Sequence, residues 1–194
     1  MKKIILFSLQ LWLLLFSQSC DVNEPENQNE TIAFSLSVGN KYSFRHSSHI
    51  IGSPNFASWF TSKRILSDTL VNGTQYFVFD NGLKLRADEK IVYSLNSGSE
   101  NIYFSFNTNV GDTITFESNR YLLKEIRTSN NFFGESHLLY TLSNEAFSPD
   151  SIVRYSFILK FGLVDFNRHY SNIINSFYLD GAIIKDVGYG RLKN

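Results

Sequence analysis

The chain has one cysteine in 194 residues, so no intramolecular disulfide can form and the fold must be held by its own core. It has only three prolines, which excludes proline-rich extended segments, and it has no excess of either charge, with 18 basic and 18 acidic side chains. Removing the first nineteen residues takes away Lys2 and Lys3 and leaves 16 basic against 18 acidic, about −2. A nucleic-acid partner needs a clustered positive surface, and the lysines and arginines gather nowhere along the chain. No apolar run reaches the roughly 20 residues that a spanning helix requires. Patterns for nucleophilic, zinc-hydrolase, phosphate-loop, dinucleotide or calcium chemistry (G-x-S-x-G, S-x-x-K, H-E-x-x-H, G-x-x-x-x-G-K-[ST], G-x-G-x-x-G, the EF-hand loop) are missing, so the sequence predicts neither an enzyme nor a cofactor.

What is present first is a leader. Lys2 and Lys3 precede the short apolar stretch Ile4 to Phe16, and Ser17-Gln18-Ser19 leads into the lone Cys20. Residues 1–19 read as a signal peptide, and the junction resembles a lipobox of the phylum Bacteroidota, with Ser17 where the pattern prefers Leu. That resemblance implies cleavage before Cys20 and acylation of its sulfur and amine by chains such as palmitate, a membrane partner through the lipid. Two or more acyl chains anchor stably where one holds only marginally. Residues 20–33 follow as a lipidated cysteine and acidic tether: Asp21 to Thr31 holds four acids, no base and a single aliphatic side chain, Val22, too little to bury. By resemblance to other lipoproteins of the phylum, such an acidic stretch goes with export to the outer membrane, facing the periplasm or the cell surface. A generic solvated linker reads the same way.

Residues 34–194 form one domain of all-β class. Asn72-Gly73 and Asn81-Gly82 carry type I′ hairpin chemistry and bracket a strand over Thr74 to Asp80. Further turns are predicted at Asp88-Glu89, Asn96 to Ser99, Asn109 to Asp112, Ser129 to Asn131, Ser148 to Asp150 and Asp180-Gly181. Period-2 alternation puts Ile102, Phe104 and Phe106, then Ile114 and Phe116, on core faces, and Tyr155, Phe157, Leu159 and Phe161 on another. With 18 Phe and 10 Tyr and no helical period, ten to thirteen strands in one antiparallel meander are expected. They would close as a sandwich, a barrel or a curved half-barrel.

Val38 to Tyr42 (VGNKY), Asp68 to Tyr76, Leu85 to Tyr93, Val110 to Thr113 (VGDT), Phe161 to Val164 (FGLV) and Leu179 to Ile184 (LDGAII) recur in that order. As a set they resemble an uncharacterised family of secreted and lipid-anchored β-proteins of Bacteroidota, and the likeness covers nearly the whole mature chain. It implies turn and core roles for these positions and carries no activity.

Few site candidates stand on their own chemistry. His46 and His49 are three apart, so on a strand they face opposite sides and could share a metal only from a loop; no metal site is predicted. His137 and His169 are single. Phe56 and Trp59 lie in Gly52 to Trp59, read as a long connection whose aromatics can stack on a glycan or meet an envelope protein, or tuck in to close the sheet. Asp68-Thr69-Leu70, Asp112-Thr113-Ile114 and Asp150-Ser151-Ile152 resemble the O-glycosylation sequon of exported Bacteroidota proteins. Two functions follow as expectations. One is a non-catalytic, membrane-anchored binding or envelope-assembly module with a filled core; the other is a carrier of an apolar ligand, with a cavity of several hundred Å³ lined by Phe and Leu. A hydrolase would need a polar cleft with convergent titratable groups.

Overall fold

The computed structural model describes residues 34–117 and 119–192; the leader, Cys20 and the acidic tether lie outside the described residues. Thirteen strands and no helix occur among the described residues. They are β1 (Lys41–Ile50), β2 (Phe56–Val71), β3 (Thr74–Phe79), β4 (Lys84–Asp88), β5 (Ile91–Asn96), β6 (Ser99–Ser105), β7 (Thr113–Phe116), β8 (Asn119–Phe132), β9 (Glu135–Ser143), β10 (Ser151–Ile158), β11 (Gly162–Tyr170), β12 (Ile173–Ile184) and β13 (Val187–Gly190).

Every ladder is antiparallel and sequential neighbours pair, except that β6 and β7 do not. Instead β1 pairs with β12, so the meander curls round and its first long strand meets its last. The result is a nearly closed barrel with one seam. Side chains bridge the seam, because the Tyr103 ring meets Phe116 edge-on at 5.1 Å. Curling in this way removes most of the edge that a flat sheet of this size would expose.

Aromatic residues on inward positions fill the interior. Phe104 of β6 stacks on Phe157 of β10 at 4.0 Å, Phe106 meets Tyr140 of β9 at 5.1 Å, and Phe116 of β7 meets Phe157 at 5.2 Å. These contacts join the two arms of the meander across the barrel. The alternation that predicted them fails at Ile102, which is 57% exposed. A bulge opposite Val92 and Tyr93 places one extra residue, Tyr103, between Ile102 and Phe104, and such an insertion resets which face each side chain takes.

The turns follow local chemistry in part. Asn72 and Gly73 both have positive φ, as a type I′ turn requires, and so do Ser97 and Gly98. Asn81 does not: the β3–β4 connection runs Asp80 to Leu83 with only Gly82 left-handed, closed by Gly82 N–H donating to the Phe79 carbonyl at 2.9 Å. Two predicted turns are strand instead. β8 runs through Ser129 to Asn131 and turns at Phe133-Gly134, while β12 runs through Asp180-Gly181 and turns at Lys185-Asp186. Gly181 is required there because a Cβ would lie 2.3 Å from the Arg191 carbonyl oxygen, where the C-terminal chain crosses β12.

Asn40, 1% exposed, ties the start of the domain to its end. Its side chain donates to the Ser35 carbonyl at 2.8 Å and accepts from the Lys185 N–H at 2.9 Å, while its own carbonyl accepts from Ile65 N–H at 2.9 Å. The VGN motif is thus a clasp between the N-terminal arm, β2 and the β12–β13 turn. Among the described residues, all these ladders and the aromatic core belong to one compact unit.

Candidate functional site

β2 turns a corner that creates the site. Phe56 to Arg64 pair with β1, and from Ile65 onward, with a bulge at Leu66, the second half pairs with β3. The first half therefore extends past the end of β3, beside β1, β12 and β11. Gly52 to Trp59 is accordingly not a long connection: β2 begins at Phe56, and only Ile51 to Asn55 link it to β1. A run of β-prone aromatics among small residues satisfies strand and loop readings alike.

On the inward face of this wall the rings form a row across five strands. Tyr155 of β10 meets Phe166 of β11 at 5.1 Å, Phe166 stacks on Phe177 of β12 at 5.0 Å, Phe177 meets His46 of β1 at 5.2 Å, and His46 stacks on Trp59 of β2 at 5.2 Å. The register makes this row: Tyr155 faces Phe166, Phe166 faces Phe177, Phe177 faces His46, and His46 faces Trp59. Such cross-strand neighbours sit close enough for ring contact at each step. Exposure rises along the row from Tyr155 at 9% to Trp59 at 45%, so it runs from core to solvent.

Beneath it lies a partly open cavity of about 200 Å³, lined by eight phenylalanines and by Leu83, Leu85 and Val92 among others. Phe34, just C-terminal to the undescribed tether, closes one end against Gly162, where a Cβ would lie 2.2 Å from its ring. His46, Thr61 and Lys63 bring the polar groups of the lining. Thr61 Oγ1 lies 2.6 Å from His46 Nε2. Burial holds the His46 pKa below the ordinary imidazole value, and the positive charge of Lys63 lowers it further. Tyr42, also lining the cavity, is pushed up to about 12 by burial, and Tyr103 is raised for the same reason, so both phenols stay neutral at physiological pH.

A larger hollow of about 510 Å³ lies against Arg127, Ser156, Asp165, Tyr178 and Asp180. It lacks the apolar character of the first. Asp180 is paired with Arg45 at 3.5 Å, and the Arg45 guanidinium lies between the rings of Phe60 and Tyr178 at 5.1 and 5.6 Å. Asp165 is pushed up to about 6 by burial. Glu100, held down to about 2 by Arg86 and then by Tyr76, belongs to an exterior ion pair with Arg86 at 2.6 Å. Size alone would favour the larger hollow; lining chemistry favours the smaller, because binding sites for small molecules are mostly apolar with few polar groups.

Of the residues singled out in the sequence, Trp59 does not line the cavity itself but stacks on His46, which does. Phe56, three positions earlier and 66% exposed, faces the outer side. His46 and His49 both lie on β1 and face opposite sides, and among the described residues no group of three or more His, Cys, Asp or Glu is arranged to hold a metal. Lys63, Phe166 and Phe177 carried no signal of their own, since their place depends on the β1–β2 and β11–β12 registers. Comparison of the sequence with known proteins finds no matching family model and no similar curated protein.

Proposed function

We propose that the protein is a lipid-anchored, non-catalytic binding module of the bacterial cell envelope whose β-domain takes a small apolar ligand into the cavity that Phe34 and His46 line. The observation that carries this reading is a partly open cavity of about 200 Å³ with a predominantly aromatic and aliphatic lining. That volume is below the several hundred Å³ expected of an acyl-chain carrier and close to the roughly 150 Å³ engineered cavity that binds benzene. A small ligand therefore fits better than a full-length lipid. The residues that line the cavity offer few titratable groups, His46, Lys63, Tyr42 and Tyr103, and two of these are phenols held neutral. For the anchor, support comes from the sequence: a short apolar leader ending in the only cysteine, followed by an acidic tether.

Two measurements test the two halves. Cys20→Ala should leave the domain folded and move it from the membrane to the soluble fraction; retention with membranes would refute lipid anchoring. Titration of 1-octanol into the chain from Asp21 onward should change the emission of Trp59, which is then the only tryptophan because Trp12 belongs to the leader. A saturable change is expected, and a flat response would refute the apolar site.

A further inference from the structure

We infer that the ligand is a small apolar carboxylate whose head group pairs with Lys63 of the cavity lining. The inference rests on the proposal that the cavity takes an apolar ligand, and it adds the charge of that ligand. Lys63 is the one lysine or arginine that lines the cavity, and no aspartate or glutamate lines it. It sits opposite Tyr42 on the inward face of β2, two residues before Ile65, which is 1% exposed. It is partly buried and has no ion-pair partner among the described residues. A lysine whose stem lies against an apolar lining with no acid beside it leaves its ammonium available to a charge-assisted hydrogen bond from an incoming anion.

The surroundings fit a carboxylate. Thr61 and His46, 2.6 Å apart, line the same cavity as Lys63, so a hydroxyl and an imidazole accompany the ammonium there. Burial, and then the positive charge of Lys63, disfavour protonation of His46, and no acid among the lining residues competes for the ammonium. By contrast, Arg45 on the opposite face of the same wall is paired with Asp180 at 3.5 Å and covered by two rings, as a structural cation is. The volume sets the tail: about six to eight carbons, by comparison with the roughly 150 Å³ site that accepts benzene.

The test compares octanoate with 1-octanol, probes that share a chain and differ in charge, read by Trp59 emission in the chain from Asp21 onward. Octanoate should bind at least about tenfold more tightly, a difference of about 1.4 kcal/mol. Lys63→Met, which keeps the stem and removes the charge, should bring octanoate down to the affinity of octanol and leave octanol within about twofold; Lys63→Arg should keep the preference. Equal binding of the two probes by the wild-type chain, or a preference that survives Lys63→Met, overturns the inference while leaving the apolar site intact. Binding of neither probe overturns both.

Discussion

Asp165→Asn should stabilise the domain, and by an amount that depends on pH. The carboxyl of Asp165 lies on β11 between Ser156 of β10 and Tyr178 of β12. Burial raises its pKa from 3.8 to about 6, against a lowering from the Phe166 backbone N–H, which an asparagine oxygen can still accept. In the unfolded chain the same carboxyl ionises near 3.8, so between about pH 4 and 6 the folded state holds more protons. Stability from this group is therefore present at low pH and lost as pH rises through about 6. At 1.36 kcal/mol per pKa unit, the folded protein gives up about 3 kcal/mol above pH 7 by carrying Asp165 ionised, and about 0.5 kcal/mol near pH 4.

The variant should recover that difference. His46 acts with the opposite sign, because its lowered pKa makes the unfolded state the better proton binder near neutrality, so the wild-type profile alone blends the two. Subtracting wild type from variant cancels the histidine. Urea unfolding of both proteins at several pH values gives the test: the stability gain of Asp165→Asn should be about 2–3 kcal/mol above pH 7 and shrink towards zero near pH 4. A gain independent of pH, or a loss throughout, would show that Asp165 is not an ionised, desolvated carboxylate in the folded protein.

Asn40→Ala should destabilise the domain by about 2 kcal/mol in urea unfolding, since the Lys185 N–H loses its side-chain acceptor and the Ser35 carbonyl keeps only the longer bond from the Tyr42 hydroxyl at 3.4 Å. Phe104→Ala, which removes the ring stacked on Phe157 at 4.0 Å, should cost about 4 kcal/mol and enlarge the cavity that Phe104 lines, so the surviving folded protein should bind longer alcohols than the wild type does. A loss under about 1 kcal/mol at either position would mean that the site collapses around the deletion.

The class of the fold was legible from short-range chemistry. Asn72-Gly73 specifies its turn because two left-handed residues in sequence are needed there, and Phe104, Phe116 and Phe157 declare their burial by alternation. What was not legible depends on pairing between distant strands. Asp180-Gly181 carries turn chemistry, yet Gly181 is small so that the chain at Arg191 can cross it, and nothing near it in sequence says so. Ile102 was assigned to the wrong face because a bulge is a property of the β5–β6 pair and not of either strand. The site shows the same division. Trp59 stood out by residue type, whereas its stack on His46, and the turning of Lys63 towards the cavity, follow from the β1–β2 register. His46 drew notice as half of an H-x-x-H pair, and its place in the aromatic row has nothing to do with His49.

The central claim is that an apolar ligand enters the cavity beneath this row, and nuclear Overhauser effects between octanoate and the labelled methyl groups of the domain test it most directly. The account predicts cross-peaks from the octanoate chain to Leu83, Leu85 and Val92, all of which line the cavity. Cross-peaks confined to methyls of the outer surface, such as Leu70 and Leu138, would contradict it.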